Sequence, residues 1–100
     1  MASLTEPVYR QAGHLVTGEV NGEVVALDVS GGECYGLNKV GSRVWSLLAT
    51  PASLREICAI LVKEYEIDVA TCEREVSSLL DDLRAAGLIT LQEVDRPSVR

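Results

Sequence analysis

The chain of 100 residues predicts an α+β fold, a three-stranded antiparallel sheet followed by three helices in the order βββααα. Three observations predict it. Two apolar runs, HLVTGEV (14–20) and EVVALDV (23–29), are joined by Asn21-Gly22. This dipeptide is a strong hairpin signal, because a type I′ turn needs positive φ at both central positions. A third short run, Glu33–Leu37, stops at Asn38, and an apolar pattern with helical spacing starts at once.

Residues 1–12 read as a flexible polar lead-in, residues 13–92 as one domain and residues 93–100 as a flexible tail. In the second run Val25, Leu27 and Val29 share one face and Val24, Ala26 and Asp28 the other, and the first is the better core face. Ser30-Gly31-Gly32 turns the chain into the third strand, so the second strand is central and the third lies at an edge. Asn38 is expected to cap a helix over Lys39–Ala49, with Val40, Val44, Leu47 and Leu48 on one face. Gly41 in its first turn leaves room for another backbone. Thr50-Pro51 ends that helix. Ser53-Leu54-Arg55-Glu56 has capping-box form and opens a second helix to Tyr65, with Leu54, Ile57, Cys58, Leu61, Val62 and Tyr65 inward. Asp68 caps the third and longest helix, to about Ala86, with a stripe of Val69, Cys72, Val76, Leu79, Leu80 and Leu83, and Gly87 follows as the C′ residue. Leu88–Leu91 is a short extended segment. Two helices with a brief turn, a long third helix and a β segment give the whole a winged helix-turn-helix-like form.

Composition narrows the function. The apolar fraction is 47% with no low-complexity run, as in a globular domain. Aromatics are scarce, so the core is expected to be aliphatic. The net charge of −6 repels phosphate backbones and argues against nucleic-acid binding. The N-terminus lacks the apolar run of a signal peptide, and no segment approaches the roughly 20 apolar residues of a membrane span. Cys34, Cys58 and Cys72 are odd in number and have no CxxC spacing, so they are expected as reduced structural thiols of a cytoplasmic protein. One histidine, His14, gives neither a metal site nor a catalytic pair a convincing set of partners. No cofactor, metal or catalytic residue is expected.

Other residues carry a bland reading and a functional one. Glu73, Glu75, Asp81 and Asp82 outweigh Arg74 and Arg84 on the third helix; they are a solvated face or a rim that attracts basic groups. Trp45 is a core residue or an interface anchor. Cys34 and Tyr35 alternate on the third strand, one inward and one outward. Natural edge strands are blunted by charge, proline or a bulge, and between Cys34 and Leu37 there is no such device. An open edge beside a long helix can accept an extended peptide through backbone hydrogen bonds, with pockets for its side chains.

The pieces GEVVALDV, ECYGLNKVGSRVWSLL, SLREICAILVKEYEID and EREVSSLLDDLRAAGLI, in that order, resemble the PqqD-like family of RiPP recognition elements over about residues 14–91. The likeness is closest to the stand-alone members of lasso-peptide clusters, where the Tyr-Gly-Leu-Asn (35–38) and Val-Gly-x-x-Val-Trp (40–45) pieces recur. The member from pyrroloquinoline quinone synthesis has a different version of this stretch and ranks second. The resemblance implies a non-catalytic adaptor. It would bind the leader of a ribosomally made precursor by strand addition and deliver it to a cysteine, transglutaminase-like leader peptidase and to an ATP-dependent macrolactam cyclase. By position it implies backbone contacts from Glu33, Cys34, Tyr35, Gly36 and Leu37, and a pocket from Val76, Leu79, Leu80 and Leu83. It also implies that Asp82 engages a basic leader residue. Leaders of lasso systems often present a tyrosine and a proline as anchors. The chain departs from many relatives in having Cys34 where they carry an aromatic or larger residue. A PqqD-type chaperone for another RiPP pathway is the alternative. A winged-helix DNA-binding regulator, which needs a basic third helix, ranks lower.

Overall fold

The computed structural model describes residues 4–96, with side-chain surroundings for 7–92. The expected hairpin forms between β2 (Leu15–Val20) and β3 (Glu23–Asp28). Val20 faces Glu23 across a two-residue loop, and Asn21 and Gly22 both have positive φ, as the type I′ turn requires. The chain then enters β4 (Glu33–Gly36), which among the described residues pairs only with β3, so β3 is central and β4 an edge. Three helices follow: α1 (Lys39–Leu47), α2 (Leu54–Tyr65) and α3 (Val69–Ala85).

Each helix starts where its cap predicts. Asn38 accepts from the Gly41 N–H, Ser53 and Glu56 form a complete capping box, and Asp68 accepts from the Thr71 N–H and hydroxyl. At the end of α3, Gly87 adopts φ +80°; its N–H bonds the Arg84 carbonyl and the Leu88 N–H bonds that of Leu83, a Schellman closure.

Two expectations about the ends of the chain need correction. Residues 4–11, read as a flexible lead-in, form β1 (Leu4–Gln11). They pair antiparallel with β5 (Ile89–Arg96), from Leu4 opposite Arg96 to Gln11 opposite Ile89. This ribbon takes in residues 89–91 of the expected Leu88–Leu91 segment and continues to 96, so that 93–96, part of the expected tail, are strand; residues 1–3 and 97–100 lie outside the described residues. The strands therefore form a two-stranded and a three-stranded sheet rather than one sheet. The ribbon is tied to the domain because Tyr9 exchanges both backbone hydrogen bonds with Ala52 and the Ala12 N–H bonds the Leu88 carbonyl. The Gln11 side chain adds a bond to the Trp45 carbonyl.

The core lies between the helices and one face of the three-stranded sheet. Val44, Trp45 and Leu48 of α1, Ile57 and Leu61 of α2, and Cys72, Val76, Leu80 and Leu83 of α3 are all buried in it. Trp45 is thus a core residue. The sheet presents the opposite face from the expected one. Val24 and Ala26 are buried against the helices, whereas Leu27 and Val29 are exposed and Val25 is only half-buried. The small Ala26 side chain is completely covered, and Val24 sits at the junction with α1. Tyr65 and Val69, expected inward, are also exposed.

Candidate peptide-docking edge and groove

The junction of β4 and α1 is built by one hydroxyl. The Leu37 N–H donates to the Val24 carbonyl at 2.9 Å. The return bond of that pair is replaced: the Val24 N–H donates to Ser42 Oγ at 2.7 Å, and the Ser42 hydroxyl donates to the Leu37 carbonyl at 3.1 Å. Ser42 is buried, so it substitutes for a ladder bond and fastens the end of β4 to α1. Gly41 lies beside it. A Cβ there would stand 3.2 Å from Asn38 Oδ1 and 3.5 Å from Leu37 Cβ, with Leu79 Cδ1 at 4.0 Å. The space at Gly41 therefore admits the Asn38 cap and the Leu37 side chain, not another backbone as expected.

This anchor sets the parity of the strand. In an antiparallel ladder a residue's N–H and C=O point the same way, and the direction alternates along the strand. Leu37 points its N–H at β3, so Tyr35 and Glu33 do likewise, opposite Ala26 and Asp28. Cys34 and Gly36 then direct both their backbone groups to the open edge. Of the five expected contact residues, two offer free N–H and C=O groups. The side chains alternate as well. Tyr35 and Leu37 pack against the core, the Tyr35 hydroxyl donates to Glu33 Oε1 at 2.7 Å, and the Cys34 thiol faces out. That hydrogen bond to a carboxylate pushes the Tyr35 phenol above its ordinary pKa.

On α3 the expected pocket residues divide. Val76, Leu80 and Leu83 are 3%, 0% and 4% exposed and belong to the core; of the three, Val76 also reaches the wall of the apolar cavity beside Leu79. The spacing i, i+4, i+7 put them on one stripe, and that stripe is consumed by packing on α2 and the sheet. The neighbouring line, Glu75, Leu79 and Asp82, has the same spacing one residue away. Leu79 is half-buried and Glu75 and Asp82 are exposed. Leu79 approaches Leu37 and Gly41 on one side. On the other it walls an apolar cavity of about 190 Å³ with Val40, Leu61, Tyr65, Ile67, Cys72, Glu75 and Val76. Of these residues Val76 and Leu79 were expected as pocket residues and Glu75 as part of an acidic rim, and Val40 lay within the Val-Gly-x-x-Val-Trp piece; Leu61, Tyr65, Ile67 and Cys72 were not anticipated as lining. One carboxylate, Glu75, stands among otherwise apolar or neutral walls.

Groups with catalytic potential are arranged for structure. Burial and a hydrogen bond with Cys72 push the Cys58 thiol up to about 12, which keeps it protonated and a poor nucleophile at neutral pH. The exposed His14 has Asp28 as its ionic neighbour, Nε2 to Oδ2 at 3.8 Å. The Asp28 carboxylate is itself lowered, first by the Ser30 hydroxyl and then by the Gly31 N–H. Among the described residues no cluster of His, Cys, Asp and Glu could hold a metal ion, and no helix is long and apolar enough to cross a membrane. Helix α3 keeps its acidic outer face, with Glu73, Glu75, Asp81 and Asp82 all exposed.

Comparison with known proteins gives a consistent picture. The family described as Coenzyme PQQ synthesis protein D (PqqD) matches residues 23–89. Among solved structures, TbiB1 in complex with the TbiA(beta) leader peptide is 34% identical, with a TM-score of 0.75 over 80% of this chain and 93% of that one. Lasso peptide synthetase B1 complexed with the leader peptide is 23% identical, with a TM-score of 0.74 over 82% and 96%. This second likeness is one of fold. No curated protein matches the chain.

Proposed function

Because the chain belongs to the PqqD family, we propose that it is a non-catalytic adaptor that binds the leader of a ribosomally made precursor, of lasso-peptide type, by strand addition to β4. The observation that carries this reading is the free edge of β4, with the backbone groups of Cys34 and Gly36 turned outward and the Leu79 line of α3 beside it. A leader strand running antiparallel to β4 places its N-terminal residues next to Leu37, at the mouth of the cavity walled by Val40 and Leu79. The 34% identical TbiB1, solved in complex with the TbiA(beta) leader peptide, supports leader binding.

Two kinds of contact are needed. Two N–H and two C=O groups supply four hydrogen bonds, about 1 kcal/mol each net. A micromolar complex requires about 8 kcal/mol net, and association itself carries a further cost, so these bonds alone do not suffice. An anchor side chain in the cavity supplies the larger share: an aromatic residue buries about 150–250 Å², worth roughly 4–6 kcal/mol. Glu75 in the cavity wall, with exposed Asp82 further along the same line of α3, favours a leader with basic residues next to its anchor. The adaptor then hands the precursor to the leader peptidase and, through it, to the ATP-dependent cyclase.

Fluorescence-polarisation titration with the leader of the neighbouring precursor is expected to give sub-micromolar to low-micromolar binding. Absence of binding up to about 100 µM, roughly −5.5 kcal/mol, overturns the reading. The family's name favours one other peptide, the precursor of pyrroloquinoline quinone. In the same titration, tighter binding of that peptide would reassign the pathway while keeping the mode.

A further inference from the structure

Cys58 on α2 and Cys72 on α3 meet across the seam between the two helices. Both are buried, and their thiols are hydrogen-bonded to each other. One buried cysteine is an ordinary small hydrophobe. Two in contact on separate helices are a pair that a two-electron oxidation can join. The pair also forms a partition. On one side Cys58 lines a surface depression of about 230 Å³, with Arg55 and Glu73 at its charged margin and Ala59, Val62 and Val69 as its apolar part. On the other side Cys72 stands in the wall of the apolar cavity of about 190 Å³ next to the docking edge. A bond between the two sulfurs would close a ring from residue 58 to residue 72. Leu61, Tyr65, Ile67 and Cys72, four of the eight residues that wall the cavity, lie in that ring.

We propose that Cys58 and Cys72 form a redox switch on the leader site: a peroxide joins them in a disulfide, and the joined form binds leader more weakly. The proposal rests on the leader-binding reading above. The Cys58 thiolate, on the side of the open depression, attacks one oxygen of hydrogen peroxide. The O–O bond breaks, and the other oxygen leaves as hydroxide and takes up the thiol's proton to give water. The Cys72 sulfur then attacks the sulfenic sulfur of Cys58; the S–O bond breaks, the S–S bond forms and a second water leaves with the Cys72 proton. The two thiols lose two electrons and two protons, and the peroxide takes up both. Cys58 is protonated at neutral pH, which makes the first step slow. The switch therefore answers sustained oxidation, and a dithiol reductant resets it. Leader affinity follows because the sulfurs pass from hydrogen-bonding contact to bonding distance. That draws α3 towards α2 at Cys72 and restrains the corner carrying Tyr65 and Ile67, the exposed rim of the cavity. A close-packed wall transmits so small a shift, and an anchor that fits the reduced cavity no longer fits the narrowed one.

The test treats the full chain with excess hydrogen peroxide and reads two things. Trypsin places the three cysteines in separate peptides, since Arg55, Lys63 and Arg74 flank Cys58 and Cys72 and Lys39 follows Cys34. Mass spectrometry without reductant is expected to find residues 56–63 joined to 64–74. Titration with the labelled leader of the neighbouring precursor is expected to show binding at least fivefold weaker after oxidation, restored by dithiothreitol. The control is Cys58→Ala, with Cys58→Ser in its place should the first fail to fold. It keeps Cys72 and the exposed Cys34, so it reports any effect of oxidising them, and its leader affinity should change less than twofold on oxidation. Absence of the 58–72 link after full oxidation overturns the proposal. So does a complete link with leader affinity unchanged or tighter, and so does a control that loses as much affinity as the wild type. Failure of the reduced wild type to bind leader at all is a separate result and counts against the proposed function; the 58–72 link is still read in the same sample.

Discussion

Replacing Ser42 by Ala removes one oxygen and strands two backbone groups. The Val24 N–H and the Leu37 carbonyl are both bonded to that hydroxyl, at 2.7 and 3.1 Å, and the seat is buried. No ladder bond can replace them without drawing β3 and β4 together where the hydroxyl now holds them apart. An unmet buried group costs about 1–3 kcal/mol, so two at about 1.5 kcal/mol each give a loss near 3 kcal/mol. For a domain of this size that lowers Tm by about 12–24 °C. Urea denaturation followed by far-UV circular dichroism reads the free energy, and a thermal scan reads Tm. Ser46→Ala is the control, since its hydroxyl bonds Arg43 at the surface, and it should shift stability by less than about 0.5 kcal/mol. A Ser42→Ala loss below about 1 kcal/mol would show that the hydroxyl does not hold the junction of β4 and α1.

Other consequences can be checked in parallel. Leu79→Asp is expected to leave the fold intact, because the side chain is half-buried, and to weaken leader binding more than tenfold; an unchanged affinity places the groove elsewhere. Leu80→Asp, by contrast, puts a carboxylate in the fully buried core and should unfold the protein, seen as loss of the cooperative melt. Cys34→Pro removes an N–H that points to the open edge, a place where proline is tolerated; stability should change little while leader affinity falls about 5–10-fold, the worth of one hydrogen bond. Tyr35→Pro removes a ladder bond and should destabilise the sheet, so equal effects at 34 and 35 would contradict the parity. The Asp68 carboxylate is lowered by the Thr71 N–H and hydroxyl. A lowered folded pKa means stabilisation that is present above the unfolded value near 3.9 and lost as pH falls through the folded one. Asp68→Asn keeps a cap but not the titration, so its Tm should fall less than the wild type's below about pH 4; identical acid limbs would refute this.

The local signals were legible in the sequence because each depends on neighbouring residues alone. Asn21-Gly22, the caps at Asn38, Ser53 and Asp68, and the closure at Gly87 all stand where their chemistry puts them. Features that depend on distant partners were not. β1 has a polar sequence and its pairing partner is near the other end of the chain, so nothing local marked it as a strand. The core face of β3 was misread because the sheet inverts the usual polarity, offering Val25 and Leu27 to solvent and Val24 and Ala26 to the helices. On α3 the apolar stripe marked the core, and Leu79, the residue of the proposed groove, lies at its margin. The open edge at 33–37 was visible, but which amides face outward became visible only through the Leu37–Val24 hydrogen bond.

The ribbon of β1 and β5 bears on the order in which the molecule assembles. Its nearest pair, Gln11 and Ile89, encloses almost the whole domain, whereas β2 and β3 close over two residues. By chain statistics the longer closure costs about 3 kcal/mol more entropy. Such a contact forms after the hairpin and the helices have shortened the path between its ends. The docking edge, the Ser42 bridge and α3 can thus be in place before the ribbon zips, and the ribbon acts as a late clasp on the finished domain. Loosening it at the buried Val8 with Val8→Ala should quicken unfolding and leave the folding rate almost unchanged. A slowed folding limb would instead place the clasp in the nucleus.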